Sequence, residues 1–76
     1  MKVRVFLSTQ LHQGRVTGRK RELDATVVEV VGEATARDGG LELQVTELVD
    51  DRGASVVSPW PKIFLPGSKI DLYVIE

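Results

Sequence analysis

The sequence contains no cysteine, no asparagine, a single histidine (His12) and no methionine beyond Met1. Without cysteine there are no disulfides and no thiolate metal sites, and one imidazole cannot build a histidine cluster. Neither a metal centre nor a cofactor is therefore expected. At 76 residues the chain is near the size where one apolar core is only just sufficient, so packing must stabilise it unaided. The lack of asparagine and of internal methionine fits a heat-adapted protein or a GC-rich genome equally well.

Long apolar runs are also missing. None approaches the roughly 20 residues that cross a bilayer, and in "MKVRVFLSTQ" the apolar letters alternate with Lys2 and Arg4, unlike the uninterrupted block of a signal peptide. A soluble, cytoplasmic domain with no membrane partner is the expectation. Aromatic residues number four, Phe6, Trp60, Phe64 and Tyr73, too few for a run of base-stacking platforms.

What is abundant is β-branched. The chain holds twelve valines, three isoleucines and five threonines, and no window sustains an i, i+3, i+4 apolar pattern. With 42% apolar and 28% charged residues, the composition is that of a folded globular domain. One all-β domain over residues 1–76 is predicted.

In "KVRVFLS", Val3, Val5 and Leu7 share one face while Lys2, Arg4, Phe6 and Ser8 take the other, which predicts a half-buried first strand. A long loop from Thr9 to Glu22 follows. In "ELDATVVEVVGEATA", Leu23, Ala25 and Val27 are in phase, after which Val28 and Val30 take the other parity. "LELQVTELVD" repeats the slip, with Leu41, Leu43 and Val45 in phase and Leu48 out of it. Paired slips in neighbouring strands predict β-bulges, which raise twist and curl a small sheet.

Turn signals separate these runs. Asp38, Gly39 and Gly40 suit a tight hairpin, and "DDRG", Asp50 to Gly53, suits a turn closed by glycine. Pro59 and Pro61 mark a proline-rich link whose edge lacks N–H donors. Pro66 and Gly67 predict a type II turn before a last strand, in which Ile70, Leu72 and Val74 face inward and Lys69, Asp71 and Tyr73 outward. Five strands in this order form a small, strongly bent antiparallel meander or SH3-like barrel, with an OB-like barrel second.

Net charge is only −1, but its sign is unevenly distributed. Residues 1–21 carry six Lys/Arg and no Asp/Glu, whereas residues 22–51 carry nine Asp/Glu and only Arg37. In the opening loop, Arg15, Arg19, Lys20 and Arg21 are interleaved with Gly14 and Gly18, a pattern that can bring guanidiniums and backbone N–H groups to phosphates, with Arg4 in support. The bland reading, a solvated loop that aids solubility, has the greater weight. "GRVTGRK" lacks the spacing of a P-loop, and a pI near 5.8 disfavours a polyanion partner.

Trp60, between two prolines with Phe64 four residues on, could floor a peptide groove or cap the end of a barrel, and the cap has the greater weight. Phe6, Phe64, Tyr73 and Ile75 are the other candidate contact positions. His12 has no nucleophile or carboxylate at readable spacing, and Asp50 with Asp51 read as turn residues. Catalysis is not expected. The leading expectation is a non-catalytic binding or adaptor module acting through a protein partner or self-association. The alternative is a nucleic-acid-binding barrel using residues 12–22.

Overall fold

The computed structural model describes residues 1–11 and 26–76. These form β1 (Lys2–Leu11), β2 (Val27–Arg37), β3 (Gly40–Asp50), β4 (Ser55–Val56), β5 (Lys62–Pro66), a 3₁₀ turn (Gly67–Lys69) and β6 (Ile70–Ile75). All pairings are antiparallel in one sheet of order β4-β3-β2-β1-β6, with β5 also on β3. The fold is the predicted all-β meander, with six strands among the described residues where five were expected, and the sheet they form is not closed. Among the described residues, no helix is long and apolar enough to cross a membrane.

The predicted phase slips are a compensating pair of bulges. Val27 pairs Asp50 and Glu29 pairs Val49, which leaves Val28 as the extra residue on β2; Val31 pairs Glu47 and Gly32 pairs Val45, which leaves Thr46 as the extra residue on β3. Each bulge flips side-chain parity once, so Val27 and Val30 both reach the core, as do Leu43 and Leu48. Among the described residues, the core cluster consists of Val3, Val5, Val27, Val30, Ala34, Leu41, Leu43, Leu48 and Leu65.

The hairpin joining β2 to β3 is as tight as expected, with Arg37 opposite Gly40. Positive φ is needed there only at Gly39 (86°). The following turn is closed by Gly53 N–H donating to Asp50 O at 3.0 Å. Asp50 also orders it through its buried side chain, whose Oδ1 accepts from the N–H groups of Arg52 (2.9 Å) and Ala54 (2.8 Å).

Four expectations need correcting. β1 continues through Thr9 and Gln10 to Leu11, so the long connection begins later than Thr9; the pairing with β6 ends at Leu7, and the exposed stretch Ser8, Thr9 and Gln10 beyond it tolerates polar letters. The proline-rich link is strand in part: Lys62–Pro66 forms β5, and β4 and β5 run along the same edge of β3, offset by two residues around a non-strand excursion over 57–61 that contains Trp60. A proline loses its donor but keeps its carbonyl, and Pro61 O accepts from Val45 N–H at 2.9 Å. The turn at Pro66 and Gly67 is not type II, since Gly67 lacks positive φ; a 3₁₀ turn replaces it, tied by Gly67 N–H to Gly39 O at 2.8 Å and by the Ser8 hydroxyl to Ser68 O at 2.8 Å.

The fourth correction concerns β6. Leu7 pairs Ile70 but Phe6 pairs Leu72, so Asp71 is an extra residue and parity reverses after it. Tyr73 and Ile75 lie opposite the core residues Val5 and Val3, while Leu72 and Val74 lie opposite Phe6 and Arg4 on the outer face. The predicted inward and outward sets are exchanged beyond Ile70.

Candidate functional site

The outer face of the sheet is built on β1. Row by row it reads Leu72, Phe6, Glu29, Val49 and then Val74, Arg4, Val31, Glu47, from β6 across to β3. Arg4 sits among carboxylates: its Nη1 is 2.9 Å from Glu29 Oε1 and its Nε is 3.1 Å from Glu76 Oε2. Hydrogen bonds to Glu29 first and Glu76 second raise its pKa further above the ordinary guanidinium value. A phosphate at Arg4 would have to compete with two carboxylates already in contact. Arg15, Arg19, Lys20 and Arg21 lie outside the described residues, so the rest of the predicted phosphate site is not placed against it.

The predicted contact residues divide between two edges. Phe6 and Tyr73 belong to the β1–β6 side, Phe6 half-buried and Tyr73 exposed. Trp60 and Phe64 belong to the β5 edge of β3. Trp60 is half-buried and packs on the core, and it also lines a shallow groove of about 280 Å³ with Leu11, Lys62, Ile63, Phe64 and Leu65. Ser58 orders the tryptophan from both sides, accepting from Trp60 N–H at 3.0 Å and donating to Trp60 O at 2.6 Å.

Sequence reasoning missed Leu72 and Val74 by assigning them to the core. They are 51% and 46% exposed, and Tyr73 (41%) and Ile75 (64%) beside them leave both faces of β6 apolar and open. The available signal was the run "LYVI", four consecutive apolar residues where a half-buried strand would alternate. β6 is nonetheless held firmly, because Glu76 N–H donates to Lys2 O at 2.8 Å and its side chain meets Arg4.

On the opposite edge, Glu42 bridges Arg37 (2.7 Å) and Lys62 (3.2 Å) in a three-residue ion cluster. Hydrogen bonds from Arg37 and then Lys62 hold its carboxyl below the ordinary range. Among the described residues, no group of three His, Cys, Asp or Glu side chains could hold a metal ion.

The fold and its surface define a small all-β domain with an apolar, open strand at one edge of its sheet. Compared with known families, characterised proteins and solved structures, the chain shows no significant match to any.

Proposed function

We propose that this protein is a non-catalytic binding module that works through protein–protein contacts, with β6 as its contact strand. The observation carrying this reading is the exposure of Leu72, Tyr73, Val74 and Ile75 together, on both faces of a terminal strand of the sheet. Such an edge offers apolar contact area and a row of backbone groups to an extended partner. Within the barrel classes, β1 between β2 and β6 and a 3₁₀ turn before the last strand support the SH3-like arrangement over the OB-like one.

The test is a selection of displayed extended peptides against the domain, with the winners mapped by amide NMR. Shifts centred on residues 72–75, abolished by Ile75→Lys, are expected. The same spectra recorded with a mixed pool of short DNA and RNA address the alternative. Shifts at Lys2, Arg4 and the basic residues 15–21 that fade as salt is raised would replace this reading with nucleic-acid binding.

A further inference from the structure

The two edges of the sheet are built differently. Along β3, the outer strand is broken by a two-residue offset and carries Pro59, Pro61 and Pro66, devices that stop a sheet from growing. β6 has none of them from Leu72 onward: no proline, no lysine and no register shift against β1. Its backbone polarity can be read from one bond. Because Glu76 N–H donates to Lys2 O and inward-turned residues alternate along an antiparallel pair, Leu72, Val74 and Glu76 turn their N–H and C=O groups to β1. Tyr73 and Ile75 turn theirs to the edge that no strand among the described residues occupies.

Resting on the proposed binding role of β6, we infer that its partner is a second copy of this chain, paired β6 to β6 in antiparallel register with Tyr73 opposite Tyr73. Two-fold symmetry permits only registers centred on a residue, since opposite residues must share a face. Centred on Tyr73, the pairing places Leu72 opposite Val74 twice and Asp71 opposite Ile75 twice. The outward groups of Tyr73 then meet each other, and those of Ile75 meet Asp71, all within the span Ile70–Ile75. Centred on Leu72, Ile75 would face Lys69, which belongs to the 3₁₀ turn and cannot continue the ladder. Centred on Asp71, two carboxylates would lie opposite each other, which is destabilising. The Tyr73 register avoids both costs while pairing apolar residues on the outer face; one centred on Val74 avoids them too, but sets Leu72 opposite the Glu76 carboxylate that Arg4 holds.

The contact is one strand wide, below the roughly 800 Å² per partner of a standard complex, so association is expected at a protein concentration on the order of 0.1–1 mM. The absence of native cysteine makes the register directly testable. Single-cysteine variants Tyr73→Cys, Leu72→Cys and Val57→Cys are oxidised mildly while disulfide dimer is followed, with circular dichroism confirming that each is folded. Val57, 90% exposed and remote from β6 in sequence, reports random collision. Residues opposite in a hydrogen-bonded pair have Cα atoms about 5.5 Å apart, within disulfide range.

Held cysteines see an effective concentration in the millimolar range, so Tyr73→Cys should cross-link about tenfold faster than Val57→Cys. Equal rates for all three, or fastest linking by Leu72→Cys, would overturn the proposal. In parallel, sedimentation of the cysteine-free protein should show mass rising toward the dimer with concentration, and Tyr73→Pro, which removes an outward donor together with the phenol side chain and takes no donor from the bonds to β1, should stay monomeric while circular dichroism shows it folded. A wild-type protein that is monomeric at about 1 mM, while selected peptides still shift β6 amides, overturns the second copy and leaves the binding role standing. Monomeric protein with no peptide bound at β6 removes both.

Discussion

Single residues decide the shape of this sheet where backbones approach most closely. A Cβ on Gly32 would lie 2.2 Å from Gln44 O, a backbone atom, so the crossing of β2 and β3 beside the Thr46 bulge needs a residue with no side chain. Gly32→Ala is expected to cost about 3 kcal/mol, the upper range for overpacking, measured by chemical denaturation. Gly39→Ala meets no atom within 4 Å and is strained only by its φ of 86°, so about 1 kcal/mol is expected. Equal effects would mean that the close approach is not rigid.

Asp50 acts at the same scale. Hydrogen bonds from Ala54 N–H and, more weakly, from Arg52 N–H hold its carboxyl below the ordinary range despite burial, which acts the other way. A carboxylate whose pKa is lowered by folding contributes stability that is complete above its unfolded value, near pH 4, and is lost as pH falls through the folded value. Thermal melts should therefore show Asp50→Asn less stable than wild type at pH 7, with the gap closing below pH 4. A gap that persists at pH 2 would show that the charge is not what orders the turn.

At the scale of an element, β6 is the informative case. Its inward and outward backbone groups alternate, which predicts alternating hydrogen exchange in dilute protein. Amides of Leu72, Val74 and Glu76 should be protected, and those of Tyr73 and Ile75 should exchange quickly. Uniform protection across the five would show that the outer edge is already covered. The excursion around Trp60 is the counterpart on the other edge. Ser58→Ala removes both bonds to the tryptophan backbone, and a fall in Trp60 fluorescence anisotropy with little change in melting temperature is expected.

For the whole molecule, stability rests mainly on an aliphatic cluster, of nine buried side chains among the described residues, with no disulfide to help it. A core of this size supplies on the order of 3–5 kcal/mol net. Leu43 is fully buried at the centre of β3, and Leu43→Ala is expected to cost about 3 kcal/mol, enough to leave much of the protein unfolded at 37 °C. Loss of the cooperative thermal transition would be the readout. Part of the molecule's charge asymmetry is met by direct contact: Arg4, from the basic opening segment, lies against Glu29 from the acidic one.

The sequence by itself determined the all-β class, the two hairpin turns and both bulges between β2 and β3. These are recorded locally: glycine permits positive φ, and a one-residue phase slip between apolar positions implies an extra residue wherever both halves must face one core. Tertiary structure decided the rest. That "KIFLP" is strand and not link depended on β3 offering it a free edge to pair with, which no local pattern encodes. The faces of β6 depended on its register with β1, where the extra Asp71 reversed parity and left "LYVI" open on both sides. Arg4, legible as a basic position, acquired its two carboxylate neighbours only when β2 and the end of β6 were brought alongside β1. Local steric preference is carried by each residue, whereas exposure and charge pairing belong to residues distant in sequence and are settled only by the way the sheet is assembled.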